Sequence, residues 1–137
     1  MKNMQASNNK LTVTITGIKG FERAVKRNPA ETANELKKFF VRSKALYTKT
    51  ILNNPWRVGA SGGGAPVDLG AMRDSHQSGT KILPFSLSFG PDKKVAPYSK
   101  YVHAKRPWLN YAFDKNYIKV NSLARDMLKN IVKDLSR

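Results

Sequence analysis

Side chains of the types that catalyse reactions or bind metal ions are scarce in this chain. Its 137 residues include no cysteine, two histidines and nine acidic residues, which excludes thiolate chemistry, disulfides and cysteine-ligated zinc. His76 and His103 lie far apart, and neither has a second ligand at the spacing typical of a metal site. The acidic residues form no obvious pair for acid–base catalysis. The sequence therefore predicts a protein that is not an enzyme, holds neither metal nor cofactor, and uses both histidines as surface or turn residues.

Basic side chains dominate the charge balance. Lysine and arginine number 25 against 9 acidic residues, so the formal net charge is +16. Such a surface attracts polyanions, and neutralising several phosphates gives salt-sensitive binding without sequence preference. The same charge also fits plain solubility and contact with acidic protein neighbours. Composition thus leaves open whether the positive charge faces nucleic acid or protein.

Residues 65–75 (APVDLGAMRDS) divide a helical half of the chain from a mixed second half. Pro66 disfavours a helical conformation in the residue before it. Asp68 is placed to cap a single helical turn through Met72, and Gly70 allows the close approach of another backbone. By residue types alone, this stretch is a capped turn in a loop.

A second block, at 96–109, combines prolines, aromatic rings and basic side chains in the segments APY, YV and RPWL. Lysines and an arginine interleave with its tyrosines and its tryptophan. This pattern suits the stacking of bases and the binding of phosphates. It equally suits a protein interface, because aromatic residues and arginine are common anchors there.

Both blocks resemble the signatures of one family, the neck or tail-completion proteins of tailed bacteriophages. Residues 65–75 are similar to its APVDTG-x-L-R-x-S motif, and residues 96–109 to its APYA-x-x-VE-x-G…RPFL motif. Leu69 stands where the family has threonine, and His103 with the alanine after it replaces the Glu-Phe-Gly step. With the flanking helices, the resemblance extends from Ile18 to the C-terminus.

The resemblance implies a structural virion protein that assembles in the host cytoplasm and forms a homo-oligomeric ring of six or twelve copies. That ring would join the portal of the head to the tail and let DNA pass. The implied partners are other neck, portal-adaptor and tail-terminator proteins, with non-specific contact to genomic DNA in the channel and no membrane. Because the residue order matches the family, we favour the interface role for 96–109. The candidate turn and interface residues are Asp68, Gly70, Arg73, Tyr98, Tyr101, Arg106, Pro107 and Trp108.

An alternative hypothesis is a free-standing DNA- or RNA-binding protein of histone-like or ribosomal type. The charge supports it, but the sequence has no zinc-finger spacing, no RNA-recognition aromatic motif and no clear helix-turn-helix. One basic face on a monomer would favour this alternative. Charge along the channel or rim of a ring would favour the neck protein.

Periodicity predicts an α+β fold, in which two long helices pack on a small antiparallel sheet and a long flexible Gly-rich loop connects the halves. Residues 1–10 are polar and lack a period, which predicts a disordered extension before a single domain over 11–137. Residues 11–16 alternate apolar and hydroxylated side chains, as in a strand with one buried face. Its inward residues are Leu11, Val13 and Ile15.

Two more strands are predicted at 75–83 and 85–89, turned around Pro84. The second alternates phenylalanine or leucine with serine. Its inward residues are Phe85, Leu87 and Phe89. The three strands would form one sheet with a face free for helices.

The first long helix is predicted over 30–52, after a start signal in which Asn28, Pro29 and Glu31 form an asparagine capping box. One stripe of this helix is apolar and its other side is basic. The stripe consists of Ala33, Leu36, Phe40, Tyr47 and Ile51. A shorter helix, weakened by a glycine, is predicted at 18–27.

A proline at position 55 ends the long helix. Residues 56–64 are rich in glycine, which predicts a flexible loop that orders against a neighbouring subunit through Trp56 and Arg57. No Gly-Lys-Ser or Gly-Lys-Thr follows, so this is not a phosphate-binding loop.

The last helix is predicted to begin at Pro107 and to carry a long apolar stripe, with a short break near 116–121. No apolar run in the chain is long enough to span a bilayer, and the first residues lack a signal-peptide pattern. These features predict assembly in a cytoplasm.

Overall fold

The structure of the chain is a computed structural model, and it describes residues 2–7, 10–15, 23, 26–53, 55–57, 59–66 and 70–135. Within these residues the chain forms four strands and five helical segments. In chain order they are β1 (Lys2–Ser7), β2 (Lys10–Ile15), α1 (Pro29–Leu52), α2 (Gly70–Asp74), α3 (His76–Gly79), β3 (Lys81–Leu83), β4 (Ser86–Phe89), α4 (Ser99–Lys105) and α5 (Trp108–Leu135).

The strands form an antiparallel sheet in the order β1-β2-β4-β3. The alternating apolar residues of β2 and β4 fall opposite each other, with Leu11 paired to Phe89 and Val13 to Leu87. All four side chains are buried, and they share one face of the sheet. This is the one-sided apolar surface that the sequence predicts. The side chain of Ile15, also predicted to face inward, lies outside the described residues.

The polar N-terminal segment forms β1, where the sequence predicts disorder. It pairs with β2 in a register that runs from Lys2 opposite Ile15 to Ser7 opposite Lys10. Such a ladder is made by backbone N–H and C=O groups, so it needs no apolar period in the side chains. It also covers an edge that β2 would otherwise leave unpaired. The segment predicted as a disordered extension therefore adds the first strand of the sheet.

Two long helices, α1 and α5, pack on each other, and both contact the sheet. This confirms the predicted α+β fold with its two helices on a small antiparallel sheet. In the described part of the chain, no helix has the length and hydropathy needed to cross a membrane.

The apolar stripe of α1 is confirmed except at its first member. Ala33 is exposed, while Thr32, which lies about 100° away around the helix, is buried. The stripe is also broader than predicted, since Phe39 and Ser43 are buried as well. The other predicted members are all buried: Leu36, Phe40, Tyr47 and Ile51.

The start of α1 at Pro29 is as predicted, but the capping box is not formed. The Asn28 side chain makes no cap hydrogen bond, and the Asn28 carbonyl accepts from the Thr32 amide at 3.0 Å. Asn28 precedes the helix with φ −133° and ψ 68°, which is not the extended conformation typical of a capping residue. The helix predicted over 18–27 lies for the most part outside the described residues.

The glycine-rich segment, predicted as a long flexible loop, is tied to the end of α1 where the structure describes it. Pro55 and Gly64 form a parallel bridge, and the Trp56 amide donates to the Gly64 carbonyl at 3.1 Å. A Cβ at Gly64 would lie 2.6 Å from the Ile51 carbonyl oxygen, and the Ala65 amide donates to that same oxygen. Close backbone approach therefore requires this glycine.

Residues 75–79, predicted as part of a strand, form helical turns instead. Ser75 Oγ donates to the Met72 carbonyl at 2.7 Å, and the Gly79 amide donates to the Ser75 carbonyl at 2.8 Å. Local bonds of this kind compete with strand formation. The strand begins only at β3, which forms with β4 the hairpin predicted around Pro84.

The last helix, α5, runs without interruption from Trp108 to Leu135, so the break predicted at 116–121 is wrong. Asn116 is only 4% exposed, but its Nδ2 donates to Thr50 Oγ1 of α1 at 2.7 Å and to the Ala112 carbonyl at 2.9 Å. A buried amide whose donors are satisfied is compatible with a helix interior. Asn116 therefore ties the two long helices together and does not interrupt one of them.

Removing this buried amide should destabilise the fold. We expect Asn116→Ala to lower the free energy of unfolding by about 1–3 kcal/mol, because it removes a buried amide together with its bonds to the Thr50 hydroxyl and the Ala112 carbonyl. Asn130→Ala is a matched control: Asn130 also reaches from α5 to α1, donating to Glu35 Oε2 at 3.3 Å, but it is exposed, so the expected change is below about 0.5 kcal/mol. Urea unfolding measures both, and equal losses would contradict the role given to Asn116.

Candidate subunit interface

The two sequence blocks at 65–75 and 96–109 converge on a pair of buried side chains. His76 follows the first block at the start of α3, and Trp108 begins α5 within the second. Trp108 Nε1 donates a hydrogen bond to His76 Nε2 at 3.0 Å across 32 residues of chain, and both residues are buried. The prediction that His76 is a surface or turn residue is therefore wrong, since its ring anchors what we call the His76–Trp108 contact.

The bond from Trp108 determines the protonation state of His76. Because Nε2 accepts, the hydrogen of the neutral ring lies on Nδ1, which is 2.9 Å from the Arg73 carbonyl oxygen and 3.1 Å from that of Met72. Burial lowers the pKa of His76 to about 4, and these two carbonyls oppose the effect only in part. The ring is therefore neutral at pH 7.

Aromatic rings surround the contact and connect it to the core. The His103 ring stands edge-on to Trp108 with 4.8 Å between centroids, and the Phe89 ring of β4 lies 5.5 Å from His76. Phe89 also packs against Tyr47 of α1 at 5.7 Å. His103 is half-buried, and burial lowers its pKa. The junction is thus continuous with the sheet and with α1.

A polar network holds the turn after β4 against α3. The Asp92 amide donates to Ser75 Oγ at 3.0 Å. The Lys94 amide donates to Asp92 Oδ1 at 2.9 Å, and Ser78 Oγ donates to Asp92 Oδ2 at 2.9 Å. The bond from the Lys94 amide, and after it that from Ser78, lower the pKa of Asp92. With both carboxylate oxygens engaged, Asp92 organises the turn.

Gly79 and Lys10 complete this turn. A Cβ added at Gly79 would collide with the backbone of Pro91 and Asp92, so only glycine allows the approach. Lys10 Nζ, from β2, donates to the Gly79 carbonyl at 2.7 Å and to the Pro91 carbonyl at 3.0 Å. Partial burial lowers the pKa of Lys10, and Lys93 adds to the effect. The sequence analysis singled out neither Gly79 nor Lys10.

The predictions for the three candidate residues of the first block have different outcomes. Asp68, predicted as a turn cap, lies outside the described residues. Gly70 begins α2, and a Cβ placed on it meets nothing within 4 Å, so the predicted close backbone approach is wrong. Arg73 Nε lies 3.4 Å from Oδ1 of the exposed Asp74, a surface pair that contributes little to stability.

The candidates of the second block are mostly packing residues. Trp108 is fully buried, and Tyr98 packs against the core from its edge. Arg106 and Pro107 are half-buried. Tyr101 is 67% exposed, which makes it the most accessible of the five to a partner.

The two predicted loop contacts also differ. Trp56 is half-buried; its Nε1 donates to the Ala60 carbonyl at 3.1 Å and its ring meets Tyr111 edge-on at 6.4 Å. Arg57 is exposed. Arg57 is therefore the more accessible of this pair.

A second apolar stripe lies on the outer side of α1. Val41 and Leu52 are each 47% exposed, and they line an open groove with Ala45 and Thr48. The spacings of four, three and four residues place all four on one helix face. We call this surface the α1 groove.

The β3–β4 hairpin presents another exposed apolar surface, which we call the hairpin surface. Ile82, Leu83 and Phe85 are 37%, 51% and 46% exposed. The alternating pattern predicted that Phe85 faces the core, but Phe85 lies in the turn before β4, outside the ladder. None of the three lines the α1 groove. Although β3 itself contacts α1, the two surfaces share no residue, and exposed apolar surfaces are typical of interaction sites.

Comparison of the chain with protein-family models, with curated proteins and with solved structures finds no match. Within the described ranges, no group of three or more histidine, aspartate or glutamate side chains is placed to hold a metal ion. The exposed apolar surfaces and the exposed basic side chains are therefore the features from which an interaction can be inferred.

Substituting alanine for each of two glycines in this region should change the free energy of unfolding in opposite directions. Gly79→Ala pushes the turn at Pro91 and Asp92 away from α3, so we expect the free energy of unfolding to fall by about 1–3 kcal/mol. Gly70→Ala adds a methyl group in open space within α2 and should raise it by up to about 1 kcal/mol. Urea unfolding measures both, and a loss at position 70 as large as that at 79 would contradict the packing described.

Acid should destabilise the fold through His76. Its pKa is about 4 in the folded chain against an ordinary value of 6.5. Between these two pH values, His76 is protonated in the unfolded chain and neutral in the folded chain. This contribution is complete above pH 6.5 and is lost as the pH falls to about 4, a loss on the order of 3 kcal/mol.

Two variants test the assignment to His76. His76→Gln cannot titrate, so its free energy of unfolding should vary less than that of the wild type between about pH 6.5 and 5. His103→Gln should keep most of the wild-type dependence. Urea unfolding at each pH measures this, and an unchanged pH dependence in His76→Gln would assign the effect elsewhere.

Proposed function

We propose that this chain is a structural virion protein of a tailed bacteriophage, whose copies form a ring at the neck. The ring would join the portal assembly of the head to the tail and leave a channel for DNA. Its partners would be neighbouring neck, portal-adaptor and tail-terminator proteins. The proposal rests on the resemblance of residues 65–75 and 96–109 to two motifs of that family.

The observation that carries the proposal is that the two resembling blocks meet. Trp108 of the second block bonds to His76, which directly follows the first block, and the His76 ring in turn bonds to the Met72 and Arg73 carbonyls within that block. A signature that preserves a fold is expected in segments that pack against each other, whereas two chance matches have no reason to be neighbours. The meeting of the blocks supports treating them as one signature.

The α1 groove and the hairpin surface together meet a requirement of ring formation. Identical subunits close into a ring through a head-to-tail interface, which needs two different surfaces on each copy. The α1 groove and the hairpin surface share no residue. We therefore take the hairpin surface of one copy and the α1 groove of the next as the contact between neighbours.

The high net charge should make ring formation depend on the salt concentration. Subunits of charge +16 repel one another, and added salt screens this repulsion. Ring formation should therefore increase with salt. Binding of DNA by a free-standing basic protein should decrease with salt, because releasing counterions into a more concentrated salt solution is less favourable. The two functions thus respond to salt with opposite signs.

Native mass spectrometry of the purified chain, at about 50 and 500 mM ammonium acetate, tests the assembly. We expect a closed species of six or twelve copies whose abundance rises with salt. A monomer at both concentrations that binds random-sequence DNA, with affinity falling steeply as salt rises, would overturn the neck proposal in favour of the free-standing nucleic-acid-binding protein.

Two interface variants test the head-to-tail contact. Val41→Asp disables the α1 groove and Phe85→Asp disables the hairpin surface, so neither variant alone should form rings. Mixed in equal amounts they should form a heterodimer, since each keeps one intact surface. Ile118→Asp is a matched control at a residue that is 79% exposed on α5, and it should assemble as the wild type does. Rings formed by both single variants would show that these surfaces are not the subunit contact.

A further inference from the structure

A cleft between α1 and α5 collects positive charge without any compensating carboxylate. Its volume is about 210 Å³, and its walls come from the C-terminal part of α1 and the N-terminal half of α5. Three of its lining residues are lysines, Lys49 from α1 with Lys115 and Lys119 from α5, and among the described residues no aspartate or glutamate lines it. We call it the lysine cleft.

The three lysines are exposed and unpaired. Lys115 and Lys119 lie one turn apart on the same face of α5, with Lys49 across the cleft. In the described part of the chain, none of the three forms an ion pair. Cations gathered in this way repel one another, and an anion between them relieves the repulsion. The electrostatics thus favour a ligand with several negative charges.

The floor of the cleft is rigid. Asn116 donates to Thr50 Oγ1 across the two helices, and the Thr50 hydroxyl donates to the Leu46 carbonyl at 3.0 Å. The helices that carry the lysines are therefore held at a set distance before any ligand arrives. Because the two helices are already held in place, less conformational entropy is lost when a ligand binds.

An aromatic rim adjoins the lysines. Tyr111 lies one turn before Lys115 on α5 and lines the same cleft, and the ring of Trp56 meets it edge-on. A Cβ at Gly62 would lie 3.0 Å from the Tyr111 ring, so the glycine-rich segment packs closely on it. Since Gly62 and Trp56 already pack on the Tyr111 ring, this ring shapes one side of the cleft, and contact with the phosphates of a duplex is made by the lysines.

We propose that the lysine cleft binds the phosphate backbone of DNA without sequence preference. This inference deepens the proposed function, because it identifies the α1–α5 cleft as the face turned towards DNA in the neck channel. Only that location rests on the proposed function. The binding itself rests on the three lysines and on the Asn116–Thr50 bond that holds their helices together.

The test compares two triple variants of the full chain with equal loss of charge. Lys49, Lys115 and Lys119 are changed to glutamine in the cleft variant. Lys37, Lys94 and Lys129, which are exposed outside the cleft, are changed to glutamine in the control. Fluorescence anisotropy with a short random-sequence DNA duplex measures affinity across about 50 to 200 mM salt.

We expect the cleft variant to lose at least about tenfold in affinity at the lowest salt, and the slope of log affinity against log salt to become shallower by about 2–3, since each lost phosphate contact removes about 0.9. The control should lose less than about threefold. Equal losses in the two variants would overturn the inference, because binding would then follow net charge alone.

Two further measurements separate the remaining outcomes. Poly-glutamate serves as the acidic-protein probe: cleft-dependent binding of poly-glutamate with no binding of DNA would replace DNA by an acidic partner and overturn the inference. Because Lys49 also lines the α1 groove, native mass spectrometry compares the wild type with a double variant, Lys115→Gln with Lys119→Gln, which should give the same oligomers. Absence of rings in both, with cleft-dependent DNA binding intact, would contradict the neck proposal and leave the cleft assignment standing.

Discussion

The hydrogen bond from Trp108 Nε1 to His76 Nε2 is the constraint on which the arrangement of the second half depends. Both groups are buried, so each would cost stability if its partner were removed. The bond requires a neutral imidazole and directs Nδ1 at the carbonyls that end α2. It thereby places α3 against α5, and α3 places the turn after β4 through Ser75 and Asp92.

The surface of helix α1 has three different surroundings. One side carries the buried stripe that packs on the sheet and α5, another carries the α1 groove, and the C-terminal part forms a wall of the lysine cleft. Lys49 lines both the groove and the cleft, so these two exposed surfaces adjoin. A helix of 24 residues with a period of 3.6 has room for a buried face and an exposed face, so in the proposed ring the buried stripe would stabilise the fold while the exposed side met a neighbour or a ligand.

Features that depend on residues close together in the sequence were predicted, whereas features that depend on residues far apart in the sequence were not. The alternation in β2 and β4 and the stripe through Leu36 and Tyr47 reflect local periodicity, and the sequence predicted them. His76 looked like an isolated surface histidine, because its role depends on a tryptophan 32 residues away. The sequence analysis did not single out the lysine cleft, although the spacing of Lys115 and Lys119 along one helix face is a property of the sequence. The position of Lys49 across from them is a tertiary one, set by the Asn116–Thr50 bond.

Charge counting relates the lysine cleft to the proposed ring. Helix α5, with 28 residues, is about 42 Å long, and duplex DNA carries about 25 phosphates over that length. Six subunits with three cleft lysines each would present about 18 cations, a number close to what the DNA can neutralise. Six copies at +16 carry nearly 100 formal charges in all. In such a ring most of the positive charge would face solvent or acidic neighbours, so the proposal assigns contact with DNA and contact with proteins to different basic residues.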